Sequence, residues 1–451
     1  PTSGSVANLY VLNDVTFNAG VVLNSIQLDG VRLNVGKNGI GGGNGNFQNT
    51  TGYTTVNGGY VMMSGTTAAQ TVNAALITAG ATFGNFGVDN ESGLLPAVTF
   101  GAAAPLSVFT GDFYLAEGAV NLTNTQFNGT APNWPTVYRT EGNFTTAPTL
   151  AAGTKISVTY YGFDKVTALE IPAGASDLWN LTVSTTNGAV AGKGVVTMGG
   201  NATVNGTLTI DANQHLYTNG NILTLAGSNA VLNGHLVANG GFEVALASPT
   251  GTTFTGSGSL PSIQINNNSQ GNVLNIPGLV SDAFGGDNIL GTGDDAFTTY
   301  DGSIQFQAGA DAGSALSVNF SGNGPHFADL NMLGTDQDQT LTLLSNAVMS
   351  GNITHNAGTL ALGDFTLTHQ GLTPSMTGGA SITSNAAGKL LFDNAGAITF
   401  TVNTSAGTIG ANVEVKSDAA FTLAAAGQNL TVSGNLTLTD KTAGAPGTTF
   451  T

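Results

Sequence analysis

Apolar residues along this chain alternate with Thr, Ser and Asn in runs of four to six. Scarcely anywhere do they recur at helical spacing over three turns. The runs include TLTI (207–210), ILTL (222–225), LTLL (341–344), TLAL (359–362), FTLT (365–368), LTVS (430–433) and LTLT (436–439). A period of two sends every second side chain to the same face, and each run stops at an NG, GN or SG pair suited to a turn. The chain is therefore expected to be all-β, with almost no helix.

Regular spacing narrows the architecture. Asn205-Gly206, Asn219-Gly220 and Asn233-Gly234 fall at equal intervals, each followed by a strand-like run. TVNGTLTI (203–210), VMSGNITH (348–355) and TVSGNLTL (431–438) share the pattern apolar-x-Gly-x-apolar-Thr. Self-similarity at this scale marks a coil that repeats one turn many times. Hairpins in a meander or β-sandwich are the competing reading, since NG also favours a two-residue hairpin turn. Two features favour the coil: Thr and Asn recur at strand ends, where like side chains can stack, and the strands lack the charged outward positions of an open antiparallel sheet. The expected fold is a parallel β-helix with turns of roughly 20–25 residues.

Composition removes several functions. Only 8% of the 451 residues are charged, against about 25% in ordinary soluble domains. With net charge −17 and nine Lys and Arg in all, the chain lacks the clustered cations that nucleic acid or an anionic membrane surface requires. No apolar stretch approaches the ~20 residues of a membrane-crossing helix, so membrane insertion is not expected. The absence of cysteine excludes disulfides, thiolate metal sites and a cysteine nucleophile. Low Lys and absent Cys fit a secreted bacterial or archaeal surface protein.

Three regions are expected: β-solenoid turns over 1–99, an aromatic-rich excursion or small β-domain over 100–170, and further turns over 171–451 with an acidic loop at about 280–315. The segments WPTVYRTEGNFTTAPTL (134–150) and LWNLTVSTTNGAVAGKGVVTMGGNATVNGTLTI (178–210) resemble the repeats of large secreted bacterial β-strand-repeat proteins. Those are in turn similar to the β-helical stalks of filamentous-haemagglutinin and autotransporter adhesins. The resemblance covers mainly 130–240 and 320–451. It implies a surface-exposed, right-handed β-helix with an adhesive or structural role, and it brings no catalytic residues.

The sharpest chemical feature is GGDNILGTGDDAFTTYDG (285–302), with Asp287, Asp294, Asp295 and Asp301, and Asp282 just before it. It resembles one copy of the Gly- and Asp-rich nonapeptide of calcium-binding β-rolls, in which glycines let carbonyls and carboxylates converge on Ca²⁺. A β-roll uses tandem copies, and this is a single approximate one; an acidic solvated turn is the plain alternative. A weaker echo is Asp336 and Asp338. Asp294-Asp295 also matches the paired carboxylates of pectin-degrading β-helices. The cations such enzymes need are missing, because Arg occurs only at Arg32 and Arg139, and the five histidines are scattered. The Gly-rich segment 39–46 has no P-loop lysine after it. No catalytic residue is assigned, and the chain is not expected to be an enzyme. Trp134 and Tyr138, with Tyr160 and Tyr161, could form a platform for surface glycans, the alternative being packing onto the coil.

The two ends of the chain complement one another. It closes on Thr449-Phe450-Thr451 and opens with a Gly/Ser turn leading to an alternating run that contains Val6, Leu9 and Val11. Tail joined to head, this parallels TTFTGSGSLPSIQI (252–265). Neither end shows a helix, a charged edge strand or a proline-rich cap, the usual covers for an exposed strand edge. Head-to-tail stacking of copies is therefore expected, as separate subunits or as successive repeats of one longer polypeptide, in an extracellular filament, sheath or surface layer. An adhesin stalk is the alternative, and a polysaccharide-degrading β-helix a more distant one.

Overall fold

Alternation of buried and half-buried residues, the pattern of strand after strand, has been folded into a coil and not into hairpins. A computed structural model of the chain describes residues 7–17, 25–27, 31–38, 41–49, 55–73, 82–101, 106–161, 165–184, 194–266, 269–275, 280–283, 296–299, 302–307, 313–320, 326–333, 338–403, 407–424, 429–442 and 449. Among them there is no helix, and almost every strand pairing is parallel. The chain forms two units, Pro1–Ala189 and Val190–Thr451, each a parallel β-solenoid.

A turn in either unit has three sides. Two successive strands lie on one long sheet and a third lies on a separate sheet. In the first unit one turn is Ser107–Phe109, Phe113–Glu117 and Ala119–Asn121. The second side stacks turn on turn, Leu33 on Val61, Phe86, Phe113, Val137, Val158 and Leu181, with register shifts at three of the pairings. Every member of this stack is buried. Like residues thus fall above like, and each large apolar side chain so buried contributes about 1.5–3 kcal/mol.

Residues 106–161, within the expected excursion, add further turns of the same coil. Their aromatics fill its interior. Phe113 sits 5.0–5.8 Å, centroid to centroid, from Phe86, Phe109, Phe127 and Phe144. Only the short segment between Thr125–Phe127 and Thr136–Arg139 departs from the path. It is closed by a bridge between Thr130 and Asn133.

In the second unit a turn is Ala202–Val204, Thr207–Ile210 and Gln214–Tyr217. The next begins at Leu223 and the one after at Val244. The interval between Asn-Gly pairs is thus two-thirds of a turn. Asn205-Gly206, Asn219-Gly220 and Asn233-Gly234 occupy three different corners in succession. Asn219 and Gly220 make theirs with φ of 52° and 81°, the left-handed region that Asn and Gly tolerate best.

The first side continues from Val244 to Ile263, Ile304, Leu330 and Ile353. The step from Ile263 to Ile304 is far longer than its neighbours, and it holds an antiparallel pair, Val280–Ala283 with Ala296–Thr299. The pair falls within the region expected to hold an acidic loop at about 280–315, of which Asp287, Asp294, Asp295 and Asp301 lie outside the described residues while Ile304–Phe306 belongs to the coil.

Interior polar groups bracket neighbouring turns. Asn272, fully buried, accepts from the Thr252 N–H at 2.9 Å and donates to the Ala315 carbonyl at 3.0 Å. Gln70 does the same in the first unit, donating to the Val35 carbonyl at 2.8 Å while the Gly65 N–H donates to it at 2.7 Å.

Candidate functional site

Two places in the fold offer surfaces that the coil itself does not use. The first is its outermost turns. In the first unit the strand Ala7–Val11 pairs with Val31–Val35, and no other described strand covers its far edge. Leu9 is 52% and Tyr10 46% exposed. Val11, the next predicted interface residue, is half-buried.

In the second unit Leu430–Val432 and Leu436–Thr439 stack on the preceding turn. Among the described residues no strand covers their other edges. Leu436 is 49% and Leu438 41% exposed. The interior opens here into an apolar cavity of about 180 Å³ lined by Phe392, Phe400, Phe421, Leu423, Val432 and Leu436. The Thr449 carbonyl accepts from the Phe421 N–H at 2.8 Å, which sets Thr449 on the first side, one turn beyond Phe421–Ala424. Val6, Phe450 and Thr451 lie outside the described residues.

The internal segment used as the template for the joint occupies different sides. Thr253–Thr255 is a second-side strand, Ser259 bridges to His235 on the third side, and Ile263–Ile265 is on the first. Thr449 lies on the first side and Ala7–Val11 on the second. The likeness of the two segments is one of strand and turn chemistry, not of position in the coil.

The second place is a groove on the outer surface of the first unit. The detour over 128–135 carries Trp134 out at the corner before Thr136–Arg139. Gly129 packs so closely there that a Cβ would lie 2.3 Å from Pro135 Cδ. Trp134 shares a polar cavity of about 360 Å³ with Trp179, Asp112, Asn133, Thr136 and Asn180. Parallel register brings these together from distant positions: Thr136 pairs with Ser157, and the Asn180 N–H donates to the Ser157 hydroxyl at 3.4 Å. The Lys155 ammonium sits 4.8 Å from the Trp179 ring centroid, a cation–π contact that steadies the indole.

Among the described residues Asp112 is the only ionisable one lining this groove. Burial raises its pKa, opposed by hydrogen bonds from Tyr114 and Thr136. Beside it runs a ladder of phenol rings. Tyr114 stacks on Tyr138 at 5.0 Å and 10°, and Tyr138 on Tyr161 at 5.8 Å and 14°. Burial, then the charge of Asp112, pushes the Tyr138 hydroxyl up to about 12, and the same two causes raise that of Tyr114. Both phenols therefore stay protonated donors at any physiological pH.

The predicted pair Trp134 and Tyr138 thus lies on one outer face. Trp134 lines the groove and Tyr138 the adjoining ladder. Tyr160, considered with them, points inward and is fully buried; its hydroxyl donates to Glu170 at 2.6 Å. Glu170 also pairs with Arg139, which donates to the Gly142 and Val166 carbonyls at 2.8 and 2.9 Å. Arg139 is thereby committed to holding the coil together. Trp179 and Asp112 were not singled out from sequence, and Asn180 stood out only as the head of an N-x-S/T sequon. The signal was recurrence at close to the length of one turn, through positions 112, 134–136, 157 and 179–180, and it is readable only once that length is known.

Of the predicted calcium ligands, Asp287, Asp294, Asp295 and Asp301 lie outside the described residues. Asp282 falls on Val280–Ala283, opposite Phe297. A different acidic trio emerges from register: Asp89, Glu91 and Glu117 bring carboxylate oxygens within 4.8 Å of one another, because Asp89 pairs with Glu117 on the next turn. The histidines are mainly interior, with His215, His326, His355 and His369 all buried. His215 stacks on His235 at 4.9 Å.

In architecture the chain is the parallel β-solenoid expected from its sequence. In comparisons with known proteins, no family model, no curated protein and no solved structure matches it.

Proposed function

We propose that this chain is a stacking unit of an extracellular filament, sheath or surface layer, in which the last turn of one copy receives the first strands of the next. One observation carries the reading. Thr449 lies on the first side of the coil, Ala7–Val11 on the second and Val15–Phe17 on the third. Taken in that order they compose one turn.

Such a joint extends main-chain ladders from copy to copy, and a heterologous contact that does not close on itself makes a filament. It would also cover Leu9, Tyr10, Leu436 and Leu438, which are among the exposed apolar residues of the two outermost described turns. The same ladder forms if a further stretch of one longer polypeptide supplies the next turn, and the intact mass of native material tells the two apart. The low charge and the Thr- and Asn-rich strands support a structural role over catalysis.

Electron microscopy and analytical ultracentrifugation of the purified chain test this. Concentration-dependent rods are expected, and L436K/L438K should abolish them by placing two cations on the joining edge. A wild-type chain that stays monomeric at high concentration overturns the proposal. Calcium remains a second proposal for the segment bearing Asp282, Asp287, Asp294, Asp295 and Asp301. Excess chelator should lower the melting temperature, and an unchanged melt removes it.

A further inference from the structure

We infer that the groove of the first unit binds a neutral oligosaccharide on its outer face, in a site independent of stacking. The lining is amphipathic in the way a sugar is. Trp134 and Trp179, the chain's two tryptophans, are both only partly buried, although indole is a large apolar group whose burial would be favourable. Their faces suit the C–H surface of a pyranose ring. Asn133, Asn180, Thr136 and Asp112 surround them with donors and acceptors suited to the hydroxyls at the ring edge.

The charge pattern selects among sugars. Among the described residues Asp112 is the lone ionisable one lining the groove, and the neighbouring Lys155 ammonium is engaged over the Trp179 ring, so a uronate or sulfated chain would meet a carboxylate within the groove itself. A neutral sugar can donate hydroxyls to Asp112 alongside the bonds it already accepts from Tyr114 and Thr136. The cavity volume, about 360 Å³, lies at the small end of the range for ligand sites, roughly 300–1,000 Å³. That suits one or two sugar residues of a longer chain lying along the face.

Asn180 heads the sequon Asn180-Leu181-Thr182, so the same chemistry could be met by a glycan carried on the protein itself. Intact mass of the native chain distinguishes the sources. A hexose-containing adduct on Asn180 overturns the free-ligand inference.

Because both tryptophans line the groove, intrinsic emission reports the site directly. Titration of the full chain with cellohexaose and mannohexaose should give a saturable change in emission with at least one of them, while polygalacturonate gives none. Trp134→Ala should weaken the response about tenfold or more, and Asp112→Asn several-fold. Thermal melts of both variants control for folding, and Asn133→Ala, on an exposed loop, gives a third variant that leaves the coil intact. No saturable response to either hexaose up to about 10 mM, or one unchanged in all three variants, overturns the inference. Rod formation is read separately, so failure here leaves the stacking proposal standing.

Discussion

The two units follow one plan and fill it differently. The first unit holds both tryptophans, both arginines and the densest phenylalanine packing, around Phe83, Phe86, Phe109, Phe113 and Phe127. The second holds all five histidines and, over 202–274, a mostly aliphatic interior of Leu, Ile and Val. Turn length differs in step. Each advance from Val61 to Phe86, Phe113 and Val137 is longer than either advance from Leu223 to Val244 and Ile263. Interiors pack to a fixed density, so the longer turns coincide with the larger side chains. The contrast teaches that a solenoid adjusts its interior turn by turn while its strands stay in parallel pairing, with local register shifts absorbed at bulges.

The largest test of the contrast is acid. Burial pushes His355 and His369 down to about 4 from the ordinary 6.5, opposed in part by backbone hydrogen bonds. Between those values the unfolded chain binds protons that the folded chain does not. Stability is therefore intact above about pH 6.5 and is lost as pH falls toward about 4, by roughly 3 kcal/mol for each histidine. Urea melts followed by far-UV circular dichroism should show this loss in the second unit. Tryptophan emission, which reports the first unit, should not show it. The double variant H355Q/H369Q should flatten the profile, and an unaltered slope would contradict the assignment.

Truncating the phenylalanine stack comes next. Phe113→Ala should cost about 3–5 kcal/mol, seen as a lower urea midpoint in tryptophan emission; a loss below about 1 kcal/mol would show that neighbouring rings collapse into the gap. Gln70→Leu should cost about 1–3 kcal/mol, because it strips hydrogen bonds from the Val35 carbonyl and the Gly65 N–H inside the coil. The smallest effect belongs to the surface pairs, Lys165 with Glu141 in the first unit and Lys389 with Glu414 in the second. Removing either lysine as Met should change stability by less than about 1 kcal/mol, and an equal result in both would show that the units differ in their interiors and not in their surface charge.

Much of the architecture was legible before any coordinates. Alternation in TLTI, LTLL and LTLT marked strands that the structure places on the sides of the coil, and Asn-Gly pairs marked its corners. The length of a turn was not legible from the same pairs, because corners recur at two-thirds of a turn. Without turn length, residues joined only by register stay apart on paper. Asp112, Thr136 and Trp179 are the clearest instance, and Asp89 with Glu117 another. Trp134 and Tyr138 stood out because aromatics beside prolines are conspicuous locally. Tyr160 adjoins Tyr161 of the ladder in sequence, yet the pleat turned it inward to Glu170, a distinction that one residue of phase decides.

The long step between Ile263 and Ile304 has a practical consequence. After Asn272–Leu274 on the second side the chain forms an antiparallel pair, and parallel pairing resumes at Ile304–Phe306 on the first side. A scaffold with that property accepts cargo. Foreign peptides spliced into this detour would be displayed from the wall of the coil while the turns above and below keep their partners, and if copies do join end to end, each would carry its passenger at a constant interval along the fibre.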